Sequence, residues 1–138
     1  MGLLTFSINI TLNGCVDHQE GIADNETHAF FTRLLDEVGA MLWGRVTYEM
    51  MESYWPAVAR GDEKLPPAMR EWAVKLDAKP KYVVSSTRKD FPWTNSHHIA
   101  GRGPTLYQSG LPSTRRLELV SATPLRNGVI AMHYRRAR

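Results

Sequence analysis

The sequence of 138 residues contains one cysteine, Cys15, so no disulfide can form within the chain. A single cysteine fits a reducing compartment, and we expect a cytoplasmic protein. No apolar run approaches the length of a membrane span, and the first residues lack the basic start of a signal peptide. The sequence also shows no internal repeat and no low-complexity tract, which excludes repeat architectures.

The sequence also shows no cluster of metal-ligand residues and no nucleophile triad. The five histidines are scattered apart from His97-His98, and neighbouring residues on a strand point to opposite faces, so this pair makes a poor chelate. We expect no metal, and we assign no catalytic side chain. Much of the net charge of +3 lies in the terminal arginines. That short tail lacks a basic helix, which favours a solvated terminus over a nucleic-acid site.

The composition and the order of strand and helix patterns predict one α/β domain that covers residues 1–138. Hydrophobic residues make up 43% of the chain, which is enough for a core at this length. Apolar and polar residues alternate in Leu3–Leu12, which predicts a strand ending at the Asn13-Gly14 turn. Further patterns predict a helix from about Glu26 to Gly39 with Asp24 or Asn25 as its cap, a strand at Ala40–Trp43, a helix to about Ser53, a helix starting at Pro66-Pro67, and strands at Lys81–Ser85 and Trp93–Ile99.

The end of the chain has the pattern of a hairpin. Two strands, Leu117–Thr123 and Val129–Tyr134, flank an Asn127-Gly128 pair, and Asn-Gly between such runs is a strong hairpin signal. The predicted fold is therefore a mostly parallel sheet flanked by helices, with a C-terminal antiparallel hairpin. We expect Tyr54-Trp55-Pro56 to lead the chain out of the helix that precedes it.

The stretch Met41–Glu49 reads as a buried strand that turns at Gly44 directly into a helix. The first N–H groups of a helix attract anions, and Arg45 adds a cation there. Gly44 has no Cβ, so a phosphate could approach closely. One interpretation is a phosphate site; the other is a tight turn with Arg45 paired to a nearby carboxylate. The residues alone leave both open.

Several short motifs occur in the order found in one known family. Together they resemble the dihydrofolate reductase superfamily, and most closely the branch that includes the reductase domain of riboflavin biosynthesis. The motifs that carry the resemblance cover most of the chain: Leu12-Asn13-Gly14, Gly44-Arg45-Val46-Thr47-Tyr48-Glu49, Tyr54-Trp55-Pro56, Lys81-Tyr82-Val83-Val84-Ser85, Gly101-Arg102-Gly103-Pro104-Thr105-Leu106-Tyr107 and Leu117-Glu118-Leu119-Val120.

The resemblance implies a dihydrofolate-reductase-like fold and an NADPH-dependent reductase, in which the cofactor supplies the hydride. The implied substrate is a small heterocycle, pterin-like or an aminopyrimidine. Six residues are implied to bind NADPH: Gly44, Arg45, Thr47, Ser85, Ser86 and Arg88. Taken without the family, the two serines are ordinary loop residues and Arg88-Lys89 is a solvated pair.

A substrate pocket is expected along Asn9 and Thr11, with Trp55 as a wall beyond the corner helix. Asp24 or Glu26 could supply a proton to a reduced ring. Helix capping and first-turn charge explain these two carboxylates equally well.

One departure from the family lies between Ile99 and Gly101, where Ala100 stands alone. The family has a helix, a strand with a glycine-containing cofactor loop, a second helix and a further strand there. Either the segment is truly absent, or the sequence omits residues that the molecule carries. A true loss would leave an open sheet edge. The alternative function is therefore a catalytically silent binding or assembly domain that kept the fold.

We also expect a homodimer. Closed twofold dimers are the commonest soluble oligomers, and the resemblance to the riboflavin branch implies one as well. Apolar residues in the hairpin, such as Val129 and Ala131, could lie at the contact.

Overall fold

A computed structural model describes residues 4–21, 24–62, 64–102 and 116–137. Its central feature is a three-stranded parallel sheet in the order β1-β2-β3, formed by β1 (Met41–Gly44), β2 (Lys81–Ser85) and β3 (Ser96–Ala100). Met41 pairs with Lys81, and Lys81 pairs with Ser96, so the strands start in register. They therefore also end at one edge. The mixed α/β class predicted from the sequence is confirmed.

The third strand starts later than predicted. The segment expected to be extended from Trp93 begins instead with a turn, in which Asn95 has a φ of 57°. Asparagine tolerates this left-handed conformation better than most residues. β3 is therefore shifted to Ser96–Ala100.

Within the described ranges, four α-helices accompany the sheet: α1 (Asn25–Glu37), α2 (Arg45–Glu52), α3 (Trp55–Arg60) and α4 (Pro67–Ala78). The cap predicted at Asp24 is confirmed, because its carboxylate accepts the Thr27 N–H at 2.9 Å. That hydrogen bond also lowers the pKa of Asp24. In the residues that the structure describes, no helix combines the length and the apolar character needed to cross a bilayer.

Helix α3 was missed by the sequence prediction. The chain leaves α2 as expected, but Trp55-Pro56 opens a new helix instead of a loop. Pro56 lies in the first turn, where a missing N–H breaks no intrahelical hydrogen bond. Gly61 ends α3 with a φ of 87°, in the left-handed region that glycine adopts at little cost.

The core lies where α1, α2 and α4 meet the buried side of β2. Its buried members are Leu35, Tyr48, Leu76, Val83, Phe91 and Trp93. Tyr48 and Val83 are fully buried, and the rings of Tyr48 and Phe91 meet edge to face with centroids 4.9 Å apart. Such pairs add to the stabilisation that burial alone provides.

Lys81 is a fully buried charged residue at the start of β2. Its Nζ donates to the carbonyl oxygens of Asp77, Lys79 and Thr94 at 2.8–2.9 Å. It also lies 4.6 Å from the centre of the Trp93 ring. The amine therefore joins the end of α4 to the turn before β3. Burial lowers the pKa of Lys81 to about 8, against the opposing charge of Asp77.

The predicted hairpin is confirmed. Strands β4 (Leu117–Pro124) and β5 (Ile130–Arg136) pair antiparallel, with a register shift between Leu119 and Ser121. The Oδ1 atom of Asn127 accepts the Val129 N–H at 3.0 Å, and Gly128 has a φ of 87°. The turn also contacts α1, because the Arg126 N–H donates to Glu26 Oε2 at 2.8 Å. That bond gives Glu26 a structural partner.

The strand predicted at Leu3–Leu12 is wrong for the part that the structure describes. Residues 4–12 form no strand, and the alternating side chains Leu4, Phe6, Ile8 and Ile10 are all exposed. Alternation provides one apolar face, but a strand is held by hydrogen bonds to a neighbouring strand. No described strand pairs with this segment.

We predict that Lys81→Met lowers the free energy of unfolding by about 1–3 kcal/mol at neutral pH, because it leaves buried carbonyl groups without a donor. Because the pKa falls from 10.5 in the unfolded chain to about 8 on folding, the unfolded chain holds the proton at pH values where the folded chain has lost it. Wild-type stability should therefore rise with pH across that window.

Urea denaturation of both proteins between neutral pH and pH 10 tests this prediction. The wild-type advantage over Lys81→Met should grow as pH rises, while a Lys89→Met control, altered at an exposed site, should follow the wild type. A wild-type advantage independent of pH would contradict the assigned pKa.

Candidate functional site

The carboxyl ends of the three parallel strands define the candidate site. β1 ends at Gly44, β2 at Ser85 and β3 at Ala100. In open α/β sheets this edge is where ligands bind, because the loops and helix starts that follow the strands converge there. The sequence placed its cofactor residues after β1 and β2, and the topology brings those two strand ends side by side.

The corner between β1 and α2 has no intervening loop. Gly44 is the last residue of β1 and also the N-cap of α2, and no side chain caps the helix. A Cβ added at Gly44 would meet no atom within 4 Å, and its φ of −80° is open to any residue. The protein's own packing therefore does not require glycine here, and the corner faces open space.

A cavity of about 310 Å³ lies at this edge. It is lined by Arg45, Val84, Ser85, Ser86, Thr87, Gly101 and Arg102. Three of the six predicted cofactor residues, Arg45, Ser85 and Ser86, thus share one cavity. Gly44 adjoins Arg45, whereas Thr47 and Arg88 are not among the lining residues.

Arg45 has a carboxylate partner within α2. Its Nη1 lies 2.7 Å from Glu49 Oε2, and both side chains are more than a third exposed. This is the pairing that the sequence left open as the alternative to a phosphate contact. An exposed i,i+4 pair contributes only about 0.3–0.5 kcal/mol. The pair therefore does not prevent Arg45 from binding an anion in the cavity.

Arg88 is held much more firmly. Its guanidinium forms a two-pronged contact with the Glu52 carboxylate at 2.9 and 3.1 Å, and its Nε donates to the carbonyl oxygen of Asp90 at 2.7 Å. It also lies over the rings of Tyr48 and Phe91. The hydrogen bonds to Glu52 raise the pKa of Arg88. Arg88 therefore joins α2 to the loop after β2, which is neither of the two roles considered from the sequence.

The two serines after β2 have different surroundings. Ser85 is buried, and its Oγ accepts the Thr87 and Arg88 N–H groups at 3.2 and 2.9 Å. This is the loop role weighed for it from the sequence. Ser86 is exposed. Ser85 thus shapes the loop, whereas Ser86 is an exposed residue of the cavity lining.

The predicted substrate residues do not reach this cavity. Asn9 is exposed in the unpaired segment, and the Thr11 hydroxyl accepts the Cys15 N–H within a local turn at 2.9 Å. Trp55 starts α3 and meets the rings of Trp72 and His28 at centroid distances of 6.2 and 6.0 Å. None of the predicted substrate residues lines the cavity at the strand ends.

Three residues at the strand-end cavity or beside Trp55 were not predicted from the sequence. Thr87 and Arg102 line the cavity, and His28 packs against Trp55, where burial lowers its pKa. Arg102 had a usable signal, because it follows the predicted strand Trp93–Ile99 by three residues. His28 had none, since its contact with Trp55 depends on how α1 and α3 pack.

A second cavity of similar volume lies between α3, α4 and the loop before β3, with Pro56, Arg60, Asp77 and Trp93 among its lining residues. Its acidic group is already engaged, because Asp77 Oδ1 accepts the Trp93 Nε1–H at 2.7 Å. Arg60 is paired with Asp62. We therefore favour the edge at the strand ends as the functional site.

No protein-family model and no curated protein matches the sequence. The class that the fold defines is a mixed α/β protein with a parallel sheet and a separate C-terminal hairpin.

We predict that Arg88→Ala lowers the free energy of unfolding by about 1–3 kcal/mol, because it removes charge-assisted hydrogen bonds from a partly buried carboxylate. The matched control is Arg60→Ala, which breaks an exposed pair with Asp62 and should cost less than about 1 kcal/mol. Chemical denaturation measures both. Equal, small losses would show that the Arg88 clamp does not hold the loop.

Proposed function

We propose that this domain is an NADPH-dependent reductase of a small pterin-like or aminopyrimidine heterocycle, and that it binds a phosphate group of the cofactor at the strand-end cavity. One observation carries the proposal: Arg45 after β1 and Ser85-Ser86 after β2, which sequence analysis assigned to the cofactor, line a single cavity.

The residues present fit one phosphate-bearing part of such a cofactor. Arg45 and Arg102 supply positive charge, and Ser86 and Thr87 supply hydroxyl donors. The uncapped start of α2 adds backbone N–H groups beside Gly44. When bound, NADPH supplies the hydride. The chain's own part is to bind and orient the phosphate through these groups, with Ser85 and Arg88 keeping the loop in place.

The alternative is a catalytically silent binding or assembly domain. It is favoured by the position of the predicted substrate residues, since Asn9 and Thr11 lie in a segment that joins no strand. A reductase needs substrate and cofactor side by side, whereas a silent domain does not. Both candidates keep the same fold, so binding measurements must separate them.

We predict that NADPH quenches tryptophan fluorescence in a saturable way, with NADH as the weaker control. Trp43 lies on β1 next to the corner, which provides a nearby reporter. No saturable signal up to millimolar NADPH would favour the silent domain.

Arg45→Ala should weaken NADPH by about tenfold to a hundredfold, because a charge-assisted phosphate contact is worth about 1.5–3 kcal/mol. Its free energy of unfolding should change by at most about 1 kcal/mol, since the pair with Glu49 is exposed. Arg60→Ala serves as the control for loss of one exposed arginine. Unchanged NADPH affinity in folded Arg45→Ala would remove Arg45 from the site.

We further propose that the chain forms a homodimer through its hairpin. Leu117, Leu119, Val120, Ile130 and Met132 of β4 and β5 are all more than half exposed. Burying such side chains against a second copy would remove apolar area from water.

Light scattering at micromolar concentration should therefore give about twice the chain mass of 15.6 kDa. Met132→Lys, which places a charge among these side chains, should shift the mass toward the monomer. A wild-type mass near that of one chain would exclude the dimer.

A further inference from the structure

The two arginines of the strand-end cavity follow different strands of the sheet. Arg45 is the first residue of α2, directly after β1, and Arg102 follows β3 by two residues. β1 and β3 flank β2, so both outer strands deliver a cation to the same edge. Among the residues that the structure describes, no carboxylate lines the cavity. The cavity therefore has a positive lining suited to an anion.

Arg102 reaches this edge because it follows the end of β3 by two residues. β3 continues directly into Gly101, whose N–H donates to the carbonyl oxygen of Ser85 at 3.3 Å. This bond holds the residue before Arg102 against the end of β2.

Glu49 lies next to this cavity and competes for one of its cations. Its Oε2 is 2.7 Å from Arg45 Nη1, while its Oε1 is 3.5 Å from Arg88 Nη1. Arg88 keeps its stronger contact with Glu52 at 2.9 Å. Arg88 is therefore held by Glu52. An incoming anion would disturb the contact between Glu49 and Arg45.

We propose that Arg102 gives this cavity its preference for doubly charged anions and that Glu49 weakens anion binding by competing for Arg45. Glu49 is a positioning residue that holds Arg45 in an internal ion pair, so an anion must compete with a carboxylate. A doubly charged phosphate gains from both Arg45 and Arg102, whereas a singly charged anion gains less from the two cations. The inference rests on the proposed phosphate site but adds a second cation and an internal competitor.

The test uses the full chain labelled with ¹⁵N, with inorganic phosphate as the dianion and chloride as the monoanion. Titrations near pH 8, where phosphate is mostly the dianion, follow the amide signals of Gly44, Ser86 and Gly101. Wild type should show saturable shifts with phosphate and none with chloride. Arg102→Ala should weaken phosphate about tenfold, as expected for one lost charge-assisted contact.

Glu49→Gln tests the competing carboxylate. Removing one exposed competing ion pair should tighten phosphate about twofold. Glu49→Asp, which keeps the charge on a shorter side chain, should lie between wild type and Glu49→Gln. The matched control is Glu71→Gln, which breaks another exposed i,i+4 pair, with Lys75 on α4; its anion affinities should equal those of wild type.

The outcomes separate this inference from the reductase proposal. Phosphate binding with the expected variant order, but no NADPH binding, supports the two-arginine site and removes the reductase. NADPH binding that Arg102→Ala and Glu49→Gln leave unchanged overturns the inference and leaves the reductase standing. If Glu49→Gln does not fold, Arg102→Ala decides alone, and wild-type phosphate affinity in that variant overturns the inference.

Discussion

The hydroxyl of Tyr48 accepts the backbone N–H of Trp93 at 2.9 Å, in a fully buried contact between residues 45 positions apart. This bond joins α2 to the turn before β3. The ring of Tyr48 packs on Phe91 and lies beneath the Arg88 guanidinium. Because Tyr48 is only three residues from Arg45, its fixed position determines where α2 starts. The strand-end cavity therefore depends on the core directly behind it.

A chain of charges runs along the outside of the same helix. Arg45 pairs with Glu49, Glu49 approaches Arg88, and Arg88 grips Glu52. The pairs become less exposed along this series, so their strength increases away from the cavity. The less exposed end joins α2 to the loop after β2, and the more exposed end lies at the cavity.

The apolar surface is distributed unevenly. Within the described ranges, the strands of the hairpin pair only with each other, and no strand extends the parallel sheet beyond β1 or β3. A two-stranded hairpin gains little stability by itself, and this one is tied to α1 through its turn. Segment 4–12 and the hairpin thus leave many apolar side chains exposed.

Local signals in the sequence predicted much of this structure. The cap at Asp24, the Asn127-Gly128 turn and strand β2 follow from short-range preferences, and each was confirmed. The same reasoning failed at Leu4–Leu12, because alternation cannot supply a partner strand. It also missed α3, because proline at the start of a helix and proline after its end have similar local patterns.

For the candidate site, too, the sequence predicted the local relations and not the contacts between distant residues. The sequence by itself determined that Gly44-Arg45 follows a strand and that serines follow the next one, because these are nearest-neighbour relations along the chain. Only the tertiary structure decided that Arg45, Ser86 and Arg102 share a cavity, and that Arg88 is committed to Glu52. The physical reason is that strand order and side-chain pairing are set by contacts between distant residues, which no local pattern encodes.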